Sequence, residues 1–361
     1  TRINTDFTLE QKLDFITKGL NLRGTVSWDN VFVETSRGIN DLNNTAQTKY
    51  VDPETGNITY GQVYESNNKF DWKQGVNWST SGGSVDNNQT VRNLYYQLQL
   101  NWARKFGQHD VTAMGLFSRQ ENARGSVMPT YREDWAFRAT YSYAGRYNIE
   151  YNGAYNGSEK FSKDNRFAFF NSGAIGWTIT EENFMKYLRD KHIIDMLKFR
   201  ASYGEIGDDN LGPDPFDSTR RWLYMSQWAY GGNTVMDLDH TKSIYTWYRQ
   251  NTLGNKDVKW ETVKKTNFGV DYGFLGGLIT GSLDFFCDRR NDILIFGDNR
   301  SIPSYFGTTA PTINKGKVRT SGYELELKLN KKFANGIRLW GNINMTHAKN
   351  KITDLNGALE G

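Results

Sequence analysis

Residues 92–102 read Arg92-Asn93-Leu94-Tyr95-Tyr96-Gln97-Leu98-Gln99-Leu100-Asn101-Trp102. Leu94, Tyr96, Leu98, Leu100 and Trp102 occupy alternate positions, and Asn93, Tyr95, Gln97, Gln99 and Asn101 fill those between. A period of two belongs to an extended chain, whose successive side chains point to opposite faces, so this is a strand with one apolar and one polar face. The pattern recurs at 147–156, where Tyr147, Ile149, Tyr151, Gly153 and Tyr155 oppose Asn148, Glu150, Asn152, Ala154 and Asn156. At 322–329, Tyr323, Leu325, Leu327 and Leu329 oppose Gly322, Glu324, Glu326 and Lys328. With similar segments at 3–9, 20–34, 110–120, 133–144, 166–178, 196–206, 258–274, 278–292 and 336–349, the chain reads as roughly twelve strands. The connections alternate in length. Short ones lie at 105–109, 144–146, 276–277 and 332–336, and long polar ones at 35–90, 121–132, 157–165, 207–257 and 293–318. The expected fold is therefore all-β, an antiparallel up-and-down meander with short turns on one side and long loops on the other. Helix signals are sparse and lie on the short-turn side: a short helical turn between Leu9 and Lys18, and a helix from Thr180, as N-cap, to Leu188.

Composition excludes several classes. The 361 residues carry 44 Lys+Arg against 40 Asp+Glu, with 11 Trp, 20 Tyr and 21 Phe, and the mean hydropathy is −0.69. The longest run without a polar residue is 273–279, far short of the roughly 20 apolar residues that a spanning helix needs. Cys287 has no partner in the chain, which excludes a disulfide scaffold. A net charge of only +4 and 14% aromatics argue against a disordered chain, and no nucleic-acid partner is expected. Length suggests two or three ordinary domains, with one large β-barrel as the exception that the strand pattern favours.

Alternating strands of this kind suit either a soluble sandwich, with the apolar face as core, or an outer-membrane barrel, with that face towards lipid. Three observations favour the membrane. The segments run to roughly 9–17 residues, and a tilted strand needs about 9–11 to cross lipid. Trp28, Trp102, Trp135, Trp177, Trp260, Phe274, Phe285 and Trp340 sit near strand ends, where aromatic rings favour the headgroup level. The very long loops all fall on one side, as in a barrel with surface loops.

Signals for enzymatic chemistry are weak, and neither catalysis nor a cofactor is expected. His109, His192, His240 and His347 are scattered, no Ser/His/Asp grouping follows from spacing, and Cys287 continues the apolar row of Leu283 and Phe285 as a small lipid-facing or packed thiol. The loop 207–217 carries Asp208, Asp209, Asp214 and Asp217, oxygen ligands dense enough for Ca²⁺. It lacks the ligand spacing of an EF-hand, so a solvated polar loop is the better reading. The loop 218–250 concentrates Trp222, Tyr224, Trp228, Tyr230, Tyr245, Trp247 and Tyr248. These rings either present a surface to cargo or a partner protein, or pack together to hold the loop. Asn148, Glu150, Asn152, Asn156, Asn342 and Asn344 would line a barrel interior with hydrogen-bonding groups suited to a polar oligosaccharide or peptide.

The chain also resembles a known family. Phe170-Asn171-Ser172-Gly173-Ala174-Ile175-Gly176-Trp177, Glu181-Glu182-Asn183-Phe184 and Leu197-Lys198-Phe199-Arg200-Ala201-Ser202-Tyr203-Gly204 are similar to barrel segments of the SusC/RagA class of TonB-dependent outer-membrane transporters. Trp260-Glu261-Thr262, Asn267-Phe268-Gly269-Val270-Asp271-Tyr272-Gly273-Phe274, Asn314-Lys315-Gly316-Lys317-Val318 and Gly322-Tyr323-Glu324-Leu325 continue the likeness in family order. The resemblance implies a transmembrane barrel of about 22 strands, of which residues 1–361 would supply about twelve as a mid-to-late portion. It implies a plug that contacts the TonB complex, a SusD-like surface lipoprotein as lid, a dimer of transporter and lid pairs, and energised import of a glycan or peptide. No plug, TonB box or terminal barrel strand is identifiable in the sequence. A passive porin and a soluble, secreted glycan-binding β protein are the alternatives.

Overall fold

A computed structural model describes residues 1–40, 47–62, 79–212, 214, 216–235, 244–300 and 302–355. In chain order the strands are β1 (Arg2–Lys12), β2 (Leu20–Val31), β3 (Glu34–Asn40), β4 (Gln47–Val51), β5 (Ile58–Gln62), β6 (Ser79–Val85), β7 (Val91–Phe106), β8 (His109–Arg124) and β9 (Thr130–Tyr143). They continue as β10 (Tyr147–Ser158), β11 (Phe167–Thr178), β12 (Ile194–Asp208), β13 (Gln227–Val235), β14 (Ile244–Thr252), β15 (Glu261–Phe274), β16 (Ile279–Ile295), β17 (Ile313–Lys332) and β18 (Arg338–Asp354). Twelve of these form one sheet in the order β1-β2-β7-β8-β9-β10-β11-β12-β15-β16-β17-β18. The remaining pairs, β3 with β6, β4 with β5 and β13 with β14, are two-stranded sheets inserted in long connections. Two compact units are present, one of residues 1–5, 29–93 and 123–128, the other of 6–28, 94–122 and 129–361. The smaller contains the β3/β6 and β4/β5 hairpins, and the larger contains β9 to β18 complete.

The alternation read from the sequence becomes two faces of one sheet. Across β9, β10 and β11, Tyr141, Ile149 and Ile175 stand opposite one another, and so do Ser142, Asn148 and Gly176 one step along. The apolar members are the exposed ones: Ile149 at 51%, Ile175 at 62% and Phe268 at 48%. Their polar neighbours Asn148, Glu150 and Asn152 are half-buried. A soluble sheet does the reverse and covers its apolar face. The reversal suits a sheet that meets lipid, where apolar side chains keep a favourable surrounding without being packed away. No described helix is long and apolar enough to cross a membrane. Tight reversals join the strands on the short side. In the turn at 144–146, Ala144 and Gly145 take φ of 51° and 71°, the left-handed pair whose twist matches a hairpin.

The buried core lies away from the middle of the strands. Phe161, Phe170, Leu211, Leu223, Val258, Trp260 and Leu294 form one cluster, drawn from β11, β16 and the connections 159–166, 209–226 and 253–260 on the long-loop side. Phe161 and Val258 are fully enclosed, and the Phe161 and Phe170 rings lie 5.3 and 5.7 Å from that of Trp260.

Several expectations change. Trp260 is buried at 3% instead of standing in an aromatic belt, because its indole donates to the Arg166 carbonyl under the loops. Between Leu9 and Lys18 the helical signal amounts to one hydrogen-bonded turn: β1 runs to Lys12, the Leu13 carbonyl accepts from the Ile16 and Thr17 amides, and the Asp14 carboxylate accepts from the Gly19 amide to set the reversal. Thr180 caps no helix. Its hydroxyl accepts from the Leu197 amide instead, and two 3₁₀ turns precede the short helix α1 (Lys186–Asp190). The loop expected at 121–132 shrinks to 125–129, because the pairing of β8 with β9 continues as far as Asn122 and Thr130.

On the short-turn side Glu182 gathers three residues. It accepts from the Tyr147 hydroxyl at 2.6 Å and the Trp177 indole at 3.2 Å, and lies 3.6 Å from the Arg146 guanidinium. These contacts, the Tyr147 hydroxyl first, hold its carboxyl below the ordinary glutamate value. A depressed carboxyl stabilises the fold fully above the ordinary range and loses that contribution as pH falls through its folded value. Glu182→Gln should therefore lower the thermal midpoint at pH 7, followed by tryptophan fluorescence, and the difference from the unaltered protein should close below about pH 4. Phe161→Ala should weaken the loop core by about 3–5 kcal/mol. Limited proteolysis should then cut within 209–260 at least tenfold faster, while the strands stay protected.

Candidate functional site

The polar face of the sheet is held by charge pairs that cross strands. Arg200 on β12 donates to both oxygens of Asp271 on β15, at 2.9 and 2.8 Å, and to Asp284 on β16 at 3.0 Å. Its reach across β15 depends on Gly269, where an added Cβ would come within 2.5 Å of the Asp284 carboxylate and 2.8 Å of the guanidinium carbon. Glu150 on β10 accepts from Arg138 on β9 at 2.8 Å and from Asn152 at 2.9 Å. On β7 a ladder runs along the strand, Tyr95 to Gln97, Gln97 to Gln99 at 3.0 Å and Gln99 to Asn101 at 2.7 Å. A depression of about 360 Å³ lies on this face, lined by Thr140, Ser142, Asn148, Glu150, Lys198 and Arg200 among others. Ala174 and Gly176 on β11 form its floor. Asn148, Glu150 and Asn152 thus fall together around or beside one depression. Asn156 is half-buried further along β10, and Asn342 and Asn344 stand exposed on β18.

The acidic loop is engaged with cations. Asp208 pairs with Arg290 at 2.7 Å, and Asp209 with Arg132 at 3.3 Å and Lys160 at 3.5 Å, while Ser158 donates to Asp209 at 2.8 Å. Asp214 accepts from the Phe216 amide, and the Asp217 carbonyl accepts from the Arg220 and Arg221 amides. The four carboxylates do not converge, and no metal-holding group of three or more such side chains occurs among the described residues. Arg221, on α2 (Ser218–Arg221), is buried; it donates to Glu159 at 2.8 Å and to the Pro129 carbonyl. Removing one partner of such a buried pair leaves an uncompensated charge, so this contact fixes the loop more firmly than a surface pair does. Sequence spacing held no sign of these bridges, since their partners lie 49 to 92 residues apart.

The aromatic loop divides. Trp222 is pinned by its indole to Glu159 at 3.0 Å, below the Arg221 guanidinium, and Tyr224 is half-buried. Trp228, Tyr230, Tyr245, Trp247 and Tyr248 belong to the β13/β14 hairpin and are 43 to 65% exposed. Trp228 pairs in register with Gln250, and Tyr230 with Tyr248, so these four share a face. Tyr230 and Tyr248 meet edge to face at 6.0 Å, and the Tyr230 hydroxyl and Thr246 both donate to Asn233. Rings with amide and hydroxyl groups between them can stack on and hydrogen-bond a polar ligand.

The three described histidines are apart from one another. His109 contacts the Tyr141 hydroxyl at 2.8 Å, His192 pairs with Asp195 at 3.0 Å, and His347 lies against the Tyr323 ring. His240 lies outside the described residues. Cys287 is a half-buried free thiol.

Comparison with known proteins places this geometry. The profile of the family described as "TonB dependent receptor-like, beta-barrel" matches residues 1–361. Among curated relatives, TonB-dependent receptor SusC of Bacteroides thetaiotaomicron is 28% identical over 304 residues, 76% of this chain and 29% of that protein. TonB-dependent receptor P3 of Formosa agariphila is 30% identical over 219 residues, 60% of this chain and 20% of that protein. The chain thus spans less than a third of the length of these two relatives. Among solved structures, the RagAB peptide transporter shares the fold with a TM-score of 0.67 at 16% identity, over 99% of this chain and 37% of that one. The chain belongs to the TonB dependent receptor-like β-barrel family, as a SusC/RagA-type strand-built barrel of the outer membrane.

Proposed function

We propose that the chain forms barrel wall in an importer that moves a large polar nutrient, an oligosaccharide or a peptide, across the outer membrane with energy delivered through TonB. The observation that carries this reading is that the same strands present an exposed aromatic face and a half-buried, hydrogen-bonding face. Such strands separate lipid from a polar interior. Residues 1–361 act as the barrel portion. Asn148, Glu150, Asn152, Asn156, Asn342 and Asn344 face the lumen, and amide and hydroxyl groups there replace water around a passing solute. The chemistry is capture and passage, with no covalent step.

The exposed β13/β14 rings meet cargo or a SusD-like surface lipoprotein that closes over the mouth, and two such transporter and lid pairs associate as a dimer. Support for the class comes from the SusC relative and from the RagAB neighbour, which is a peptide transporter. A polar face of neutral amides and matched ion pairs serves either cargo.

Two measurements test this. Uptake of labelled oligosaccharide and peptide by cells carrying the protein should stop when the proton gradient is collapsed, whereas persistent uptake would make it a passive pore. Replacing Trp228, Tyr230 and Tyr248 by Ala should weaken capture of cargo or lid about tenfold or more, read by binding to purified protein, since central aromatic anchors each carry about 1 kcal/mol or more. Unchanged affinity for both would remove the hairpin from the capture surface.

A further inference from the structure

The apolar face carries one place where its row of large side chains is interrupted. Across β10, β11, β12 and β15, Tyr147, Trp177, Phe199 and Val270 stand in register nearest the short turns, and Ile149, Ile175, Ala201 and Phe268 form the next row. Ala201 is a small residue between two large ones. The gap is a groove of about 340 Å³, walled by Tyr147, Trp177, Phe199, Ile175 and Phe268. Its walls are well exposed, with Ile175 at 62% and Trp177 at 40%, so the groove opens to the surroundings of the barrel.

The groove is polar at one end only. Tyr147 and Trp177, which wall its turn-side end, both donate to Glu182, and the Arg146 guanidinium sits 3.6 Å from the other oxygen of that carboxylate. Arg146 makes no other side-chain hydrogen bond among the described residues, so most of its five N–H donors remain for a ligand. A guanidinium takes phosphate oxygens in a matched, bidentate geometry. From that end the groove leads past Trp177 and Phe199 to Ala201 and Phe268; Arg200 also borders it, with its guanidinium engaged by Asp271 and Asp284 on the polar face. A charged head over an apolar trough is the outline of an amphiphile, and aromatic rings at the headgroup level fix such a molecule at its glycerol region.

We propose that this groove is a binding site for one glycerophospholipid, its phosphate on Arg146 and one acyl chain laid over Ala201 between Phe268, Phe199 and Ile175. The occupant follows from three features: the surface lies in the membrane, the mouth carries a cation, and the walls are hydrocarbon and aromatic. The bound lipid fills the gap in the ring lattice and ties the 144–146 turn to the 179–193 connection through Arg146 and Glu182. The site is independent of which cargo the barrel carries.

Native mass spectrometry tests it on the whole protein extracted from membranes and reconstituted with palmitoyl-oleoyl phosphatidylethanolamine and phosphatidylglycerol. One lipid should remain on the protein at a detergent concentration that strips the others. Ala201→Phe, which fills the groove, and Arg146→Gln, which removes the phosphate partner, should each reduce its retention at least tenfold. Leu98→Phe, on the same face of β7, should leave it unchanged. Ala201→Phe lies on a lipid-facing surface and Arg146→Gln in a turn, so neither disturbs the loop core, and import in cells serves as the control for folding. Retention by either variant equal to that of the unaltered protein would overturn the site, leaving an ordinary exchanging lipid. Failure of the unaltered protein to show import energised by TonB would bear on the transport reading alone.

Discussion

A backbone that lies in hydrocarbon must satisfy every amide and carbonyl within the protein, since nothing in lipid replaces a lost partner. That constraint sets the arrangement of this chain. β9 to β18 of the large sheet pair antiparallel, with register shifts at 194–196, 290–294 and 317–318, and chain neighbours are sheet neighbours wherever no hairpin intervenes. Once the backbone is committed to pairing, each side chain has only two directions available. The period of two therefore decides which solvent each residue meets, and a one-residue slip would exchange the two faces of a strand.

With both faces in contact with something other than a protein interior, the sheet has no core of its own along its middle. Cohesion comes from elsewhere. On the polar face it comes from charge pairs that reach over an intervening strand, as Arg200 does through the space above Gly269. Partly solvated pairs of this kind contribute little singly, but one guanidinium on two carboxylates from different strands opposes their sliding. At the long-loop side cohesion takes the form of an ordinary apolar core around Trp260, together with the buried Arg221 and Glu159 pair. The loops, rather than the strands, hold what a soluble domain would place at its centre.

The division between legible and illegible features follows the same physics. All twelve strands could be read, because an alternating pattern is local and repeats with the pleat. The apolar face and its belt could be read for Trp28, Trp135, Trp177 and Trp340, which are exposed at the positions that the pattern assigns. Trp260 could not, since its neighbours Phe161, from the connection 159–166, and Phe170, from β11, are distant in sequence and give no local signal. Thr180 looked like a helix cap because its triplet of following residues is right for one. Its hydroxyl was taken by the Leu197 amide, a partner 17 residues on. The acidic loop read as a solvated polar segment with oxygen ligands, and nothing local showed that Asp208 would pair with Arg290 and Asp209 with Arg132 and Lys160. Composition shows that charges are present. Only the fold shows which of them meet.

The two depressions of the sheet lie back to back. The polar one is floored by Ala174 and Gly176, and the apolar one is centred on Ala201; Ile175, Asn148 and Arg200 border both. Small residues on alternate positions of β11 and on β12 therefore thin the wall at one place from both sides. This is possible because alternation makes the faces independent: a side chain added at 174 or 176 projects to the polar side, and one added at 201 to the apolar side. At Gly176 an added Cβ would meet the Lys198 side chain at 3.2 Å, so the bare backbone there carries the lysine stem across the floor of the polar depression. The thin place can in this way serve a polar solute on one side and hydrocarbon on the other, and a substitution that fills one depression leaves the other open.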